Sequence, residues 1–194
     1  MSIYLFTFTF NLLILPKILF LKTILTEQQI SLTIKRLAHQ VLENHLDLAD
    51  TVIIGLQPRG IYVSDKIVNE LKSNLKGKTF NYGILDITFY RDDVRREIKV
   101  PNKTDINFSI ENKKVILIDD VLYTGRTIRA ALDALLDFGR PAKVELCVLI
   151  DRRFSRQLPI QPDYVGKVID ALVTQKVKVQ WKEKDEKTQV VITE

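Results

Sequence analysis

The chain has 194 residues, 46% hydrophobic and 27% charged, with 29 Lys+Arg against 24 Asp+Glu. That length supplies one ordinary globular core, and that charge content excludes a disordered tail or an integral membrane bundle. One cysteine, Cys147, excludes an intramolecular disulfide and a Cys-rich zinc site, two histidines are too few for a His-based metal cluster, and the net charge of +5 favours anionic partners such as phosphates, nucleotides or RNA.

Residues 1–21 hold 15 apolar residues and one charged side chain, Lys17; Phe6, Phe8, Phe10 and Phe20 are among them, and the first acidic residue is Glu27. No basic n-region or small-x-small cleavage pattern marks a signal peptide. Thr7, Thr9, Asn11 and Pro16 interrupt the run as a spanning helix, while Tyr4 to Phe10 alternates aromatic residues with Thr in the manner of a strand. A membrane anchor and an extra strand or partner contact compete with a non-native extension. The extension is the expectation: outside the domain, loosely packed and dispensable for activity, as when translation starts near Leu21.

Thr26 and Gln29 form a capping box, and Ile30, Ile34, Leu37 and Val41 then recur at helical spacing to about Asn44. Lys35, Arg36 and His39 fall together on the opposite face of that helix. A short buried strand is expected over Thr51 to Ile54, a tight loop over 55–60, and a helix carrying Ile61, Ile67, Val68, Leu71 and Leu75. Phe80 to Tyr90 reads as a strand with Ile84, Ile87 and Phe89 as candidate core. Residues 91–112 have no sustained period and many charges, which in a compact domain marks a functional or mobile loop. Val115 to Ile118 is apolar throughout, as a central parallel strand requires. Ile128, Ala131, Leu132 and Leu135 mark a helix stopped by Gly139 and Pro141, and Val144 to Ile150 is another buried strand, with Cys147 as a small buried hydrophobe. Val177, Val179 and Trp181 alternate with polar residues, and a charged turn at 182–187 leads to Val190 to Ile192 as a closing hairpin. The order of elements predicts one α/β domain with no repeat and no linker.

The chemistry concentrates in one run: Val115, Ile116, Leu117, Ile118, Asp119, Asp120, Val121, Leu122, Tyr123, Thr124, Gly125, Arg126, Thr127. A buried strand delivers two carboxylates, and a short loop then supplies two hydroxyls and a glycine where a helix begins. Backbone N–H groups at that helix start, with Thr124 and Thr127, would wrap a phosphate, and Gly125 allows close approach. The carboxyl end of a central strand is where open α/β sheets bind ligands. Asp119 and Asp120 would accept hydrogen bonds from the 2′- and 3′-hydroxyls of a ribose 5-phosphate. A Walker loop is excluded, because the Gly-Lys-Ser/Thr ending is absent.

The run 115–127 resembles the 5-phosphoribosyl-1-diphosphate (PRPP) signature of the type I phosphoribosyltransferases. Its Tyr-Thr-Gly-Arg-Thr version, with segments 55–60, 86–93, 139–141 and 158–167, resembles the pyrimidine-operon regulators that also act as uracil phosphoribosyltransferases. The resemblance covers about residues 22–194, taken as the domain. It implies the type I fold: a central, mostly parallel sheet flanked by helices, with a small hood and a mobile lid loop. It further implies that residues 124–127 hold the 5′-phosphate, that Asp119 and Asp120 serve the ribose as catalytic carboxylates, and that Arg59, the Gly60 backbone and Arg91 bind diphosphate. Arg152, in the hood 151–168, becomes a base contact, with an Asp151 ion pair as the competing role. Mg²⁺ is implied as cofactor, bound mainly through PRPP and water with no direct protein ligand.

The implied activity is uracil + PRPP → UMP + diphosphate, in the cytoplasm and in a homo-oligomer. The implied second role is UMP-dependent attenuation of transcription by binding operon mRNA, through Lys35, Arg36, His39 and Arg156. A nucleotide-sensing RNA regulator with little catalysis, and a phosphoribosyltransferase for another base, are the alternatives.

Overall fold

Val115 to Ile118 and the run 146–150 are apolar at every position, so strands built from them need cover on both faces. The computed structural model describes residues 21–91 and 102–193, and in it both runs are buried. In chain order the elements are β1 (Leu21–Leu25), α1 (Glu27–His45), β2 (Thr51–Leu56), α2 (Gly60–Asn74), β3 (Asn81–Leu85), β4 (Lys114–Leu122), α3 (Arg126–Leu135), β5 (Lys143–Arg153), β6 (Tyr164–Asp170), β7 (Lys176–Gln180) and β8 (Gln189–Thr193). Five strands pair in parallel in the order β3-β2-β4-β5-β6.

Successive side chains of a strand alternate faces. Ile53, Ile116, Ile118, Cys147 and Leu149 pack with Ile34, Leu37 and Val41 of α1 and with Val63, Ile67 and Leu71 of α2. Val52, Ile54, Val115, Leu117, Leu146 and Val148 pack with Ile128, Ala131 and Leu135 of α3 on the other face. The capping box stands as expected, with the Thr26 amide donating to Gln29 Oε1 at 2.9 Å and the Gln29 amide donating to Thr26 Oγ1. The expected hairpin is β7–β8, and β1 adds to β8 to make a three-stranded antiparallel sheet. Trp181, buried and stacked on Tyr62 of α2, joins that small sheet to the main core.

Several expectations change. The strand expected over 80–90 ends at Leu85, and Thr88–Tyr90 is a 3₁₀ turn. Ile87 is buried, but Phe89 is 81% exposed, because the turn breaks the alternation that would have carried it inward. Leu132 lies on the outer face of α3 and is exposed. β4 includes both carboxylates, as expected, and runs two residues further to Leu122. β1 was not foreseen, since of its five residues only Leu25 is fully buried and no alternation marks it.

The second half of the segment expected as a mobile lid is docked. The Asp105 amide donates to Ile84 O, the Ile84 amide donates to Asp105 O, and Ile110 enters the core. Apolar residues at 106, 108 and 110 supply the reason. The expectations for residues 1–20 and 92–101 lie outside the described residues. No helix among the described residues is long and apolar enough to cross a membrane.

Candidate active site

Parallel register between β2, β4 and β5 brings their carboxyl ends to one edge of the sheet. Loop 57–60 follows β2, loop 123–125 follows β4, and the hood segment follows β5. The three loops are therefore neighbours because of strand order.

Asp119 and Asp120 occupy the end of β4. Asp119 is 7% exposed, and its Oδ1 accepts the Asp120 amide at 2.9 Å. α2 begins directly against them. A Cβ at Gly60 would lie 2.7 Å from Ile118 O and 2.9 Å from Asp119 Cα, so only glycine allows this approach. Burial, and then the negative charge of Asp120, push the Asp119 carboxyl well above the usual carboxylate range. Burial also raises Asp120, opposed first by the positive charge of Arg59. Two crowded carboxyls of this kind regain their charge when hydroxyl donors or a cation reach them.

The backbone of loop 123–125 is set by its glycine. Gly125 adopts φ 92, in the left-handed region that favours glycine, and α3 starts immediately after it. The Arg126 amide donates to Thr124 Oγ1 at 3.4 Å. A cleft of about 310 Å³ lies over this loop, lined by Arg91, Asp119, Tyr123, Thr124, Gly125 and Thr127, with Arg126 and Gln157 at its wall. Arg91 donates to Thr127 Oγ1 at 3.3 Å, so a guanidinium stands beside the loop. The first amides of α3 and two Thr hydroxyls, next to a cation, are a suitable environment for a phosphate group.

The other expected residues are placed as follows. Arg59, half-buried, donates to Val179 O at 2.7 Å and pairs with Asp185 at 3.4 Å, so the C-terminal hairpin holds it at the end of loop 57–60. Arg152 is 4% exposed and stacks on Tyr123, its guanidinium carbon 4.0 Å from the ring centroid. It donates to Leu172 O and Gln175 O at 3.2 and 3.1 Å, while its Nε has no hydrogen-bond partner. The Asp151 ion pair goes to Arg156, which also donates to Tyr123 O at 2.6 Å. Lys35 and His39 are exposed on α1, whereas Arg36 reaches β6 and donates to Val165 O and Gly166 O.

Sequence reasoning missed three supports. Asp86 accepts from Thr88 Oγ1 at 2.6 Å and from the Asn102 amide, so it links the 3₁₀ turn to Asn102. Gln57 donates to Lys103 O at 2.7 Å. Gln157 lines the cleft and accepts from Arg126 Nε at 2.9 Å. Asp86 lies inside the 86–93 segment and Gln57 inside 55–60, whose signals were available; Gln157 carries no periodicity or motif that marks it.

Cys147 is fully buried and burial pushes its thiol up to about 12, which removes it as a nucleophile. Among the described residues no group of three His, Cys, Asp or Glu is arranged to hold a metal. Asp119 and Asp120 are hard oxygen donors of the kind Mg²⁺ takes when substrate phosphates and water complete its shell.

A family profile described as "Phosphoribosyl transferase domain" matches residues 21–185. A protein of Picosynechococcus named "Bifunctional protein PyrR" is 46% identical over 157 residues, covering 80% of this chain and 88% of its own length. A Thermoanaerobacter protein of the same name is 43% identical, covering 88% and 96%. Among solved structures, a hypoxanthine phosphoribosyltransferase of Staphylococcus aureus superposes with TM-score 0.65 at 22% identity, covering 87% of this chain and 90% of its own. The Trypanosoma cruzi hypoxanthine phosphoribosyl transferase gives 0.68 at 19%, covering 89% and 91%. At those identities the two structures share the fold alone, whereas the profile and the PyrR proteins cover nearly the whole described chain. The chain therefore belongs to the phosphoribosyltransferase domain family, and within it to the bifunctional PyrR proteins.

Proposed function

We propose that this protein transfers the 5-phosphoribosyl group of PRPP to uracil, giving UMP and diphosphate, and that it also binds pyrimidine-operon mRNA with UMP as effector. The observation that carries the first part is the convergence, on one cleft, of the buried Asp119 carboxyl, with Asp120 next to it in the chain, and the glycine loop that opens α3. Thr124, Thr127 and the first amides of α3 hold the 5′-phosphate. Asp119 and Asp120 accept the ribose hydroxyls and fix the ring.

In the reaction the bond from C1 to the diphosphate oxygen breaks and a bond from uracil N1 to C1 forms. The diphosphate leaves with the bonding electrons, and the N1 proton passes to solvent or diphosphate. Positive charge develops on the ring between these events. The negative carboxylates on the ribose side favour that charge. Arg91, and Arg59 with the Gly60 backbone, receive the diphosphate. Mg²⁺, when bound with PRPP, offsets the charge of the leaving diphosphate.

Arg152 and the hood backbone read the base. Arg152 supports this reading by its position: its guanidinium stacks on Tyr123, which lines the cleft. The test is turnover with uracil against orotate and hypoxanthine, with the Asp119→Asn/Asp120→Asn variant as the inactive control.

RNA control is supported by the PyrR relatives, by the net charge of +5 and by the exposed Lys35 and His39 on α1. Its test is salt-dependent binding of an operon hairpin that strengthens with UMP; equal, weak binding of any RNA would remove the regulatory part. The protein acts in the cytoplasm as a homo-oligomer, a reading supported by the exposed Phe154, Leu172 and Val173 near the hood. Sedimentation of the full chain tests that assembly.

A further inference from the structure

Arg156 entered as a candidate RNA contact, yet its guanidinium is used inside the domain. Nη1 donates to Tyr123 O at 2.6 Å and Nη2 meets Asp151 Oδ1 at 2.5 Å. Both side chains of that ion pair are largely shielded, with 22% and 13% of their surface exposed. Three further hydrogen bonds tie the same hood segment to the phosphate loop. The Gln157 and Leu158 amides both donate to Thr124 O, at 3.0 and 3.2 Å, and Arg126 Nε donates to Gln157 Oε1 at 2.9 Å. Leu158 and Ile160 close over Gly125, where an added Cβ would lie 3.4 and 3.2 Å from them.

We infer that residues 156–158 are a strap that sets the geometry of the phosphate loop, with Arg156 as its positioning residue and Asp151 as its anchor. Three observations lead there. First, Thr124 O and Tyr123 O are the carbonyls that precede the left-handed Gly125, and their direction fixes which way the following amides point. Second, nearly every polar bond on those carbonyls comes from the strap rather than from within the loop. Third, a charge-assisted bond from a guanidinium shielded from water holds a carbonyl more firmly than a neutral donor does. The strap also connects to the surface. Between Arg153 and Arg156 the chain turns at Phe154, which has φ 63 and is 82% exposed. A phosphate that orders the loop therefore also orders the hood beside that surface. This inference rests on the phosphoribosyl reading of the loop, and not on the choice of uracil.

The experiment measures ribose 5-phosphate binding to the full chain by calorimetry, beside PRPP and uracil kinetics. Arg156→Gln should raise the ribose 5-phosphate Kd and the PRPP KM together, by roughly tenfold to a hundredfold, while kcat stays within about threefold. Arg156→Lys should recover part of the affinity, since it keeps a charged donor without the fork. Asp151→Asn should shift Kd in the same direction by less, and it carries the test if Arg156→Gln does not fold. Ribose 5-phosphate should also slow hydrogen exchange at the Gln157 and Leu158 amides.

Unchanged Kd in Arg156→Gln, with or without lost RNA affinity, overturns the strap. So does a lower melting temperature and kcat with Kd and KM unchanged, which is a structural role only. If the wild-type chain binds ribose 5-phosphate but forms no UMP, the uracil assignment falls and the strap is judged on Kd alone. If it binds no ribose 5-phosphate, both fall.

Discussion

Replacing Gly60 by alanine tests whether contact between α2 and β4 sets the site. The new methyl would lie 2.7 Å from Ile118 O, 2.9 Å from Asp119 Cα and 3.0 Å from Asp119 Oδ1. Ordinary contacts need roughly 3.5 Å, so the helix start and the carboxylate strand must separate by about 0.8 Å. Two of the three obstacles are backbone, which cannot rotate aside. Misplacing a reacting group by about 1 Å costs on the order of a hundredfold, so Gly60→Ala should lower kcat/KM for UMP formation by roughly 30- to 100-fold. The overpacking should cost about 1–3 kcal/mol of stability. Gly77→Ala is the matched control. Gly77 has φ 92 with nothing within 4 Å, so alanine there strains the backbone far from the cleft. It should cost about 1 kcal/mol and leave turnover unchanged. Steady-state kinetics and thermal melts on both variants decide. Wild-type kcat/KM in Gly60→Ala would refute the reasoning, as would an equal loss of activity in Gly77→Ala.

Four further substitutions follow from burial and charge. Asp119 titrates above the ordinary value of 3.8 because of burial and the charge of Asp120, so its contribution to stability falls as pH rises above about 4. Asp119→Asn escapes that loss and should melt higher than wild type at pH 8, with the gap closing at pH 4 and turnover abolished; a lower melting temperature at pH 8 contradicts this. Glu145 behaves oppositely: burial raises it, but hydrogen bonds from Lys143, Tyr164 and His45 outweigh burial and bring it from 4.5 to about 2. Its contribution is present above pH 4.5 and lost as pH falls towards 2. Glu145→Gln should cost roughly 3 kcal/mol at neutral pH and flatten that acid decline, both read from urea melts. Finally, Ile87→Ala should cost about 2–5 kcal/mol and Phe89→Ser under about 0.5, since one is buried and the other exposed. Equal costs would restore a strand through residue 89.

The fold was legible wherever periodicity was uninterrupted. α1 showed itself through Thr26, Gln29 and four apolar positions, and β4 through an apolar run. The candidate site was legible because one contiguous run supplies strand, carboxylates, glycine and helix start. Hidden parts depend on contacts distant in sequence. β1 exists because β8 pairs with it, and neither strand predicts that partner locally. Residues 105–110 dock because Ile84 offers its backbone to Asp105. The occupation of Arg59 by the C-terminal hairpin, and of Arg36 by β6, could not be read from charge, because a basic residue does not announce which carbonyl it will meet.

The central claim is tested by offering the full chain PRPP and Mg²⁺ with uracil, orotate or hypoxanthine and measuring the nucleotide formed. Rapid UMP formation from uracil, slower or no product from the other bases, and loss of turnover in a folded Asp119→Asn/Asp120→Asn variant are predicted. Preference for orotate or hypoxanthine, or undiminished UMP formation by the double variant, would contradict it.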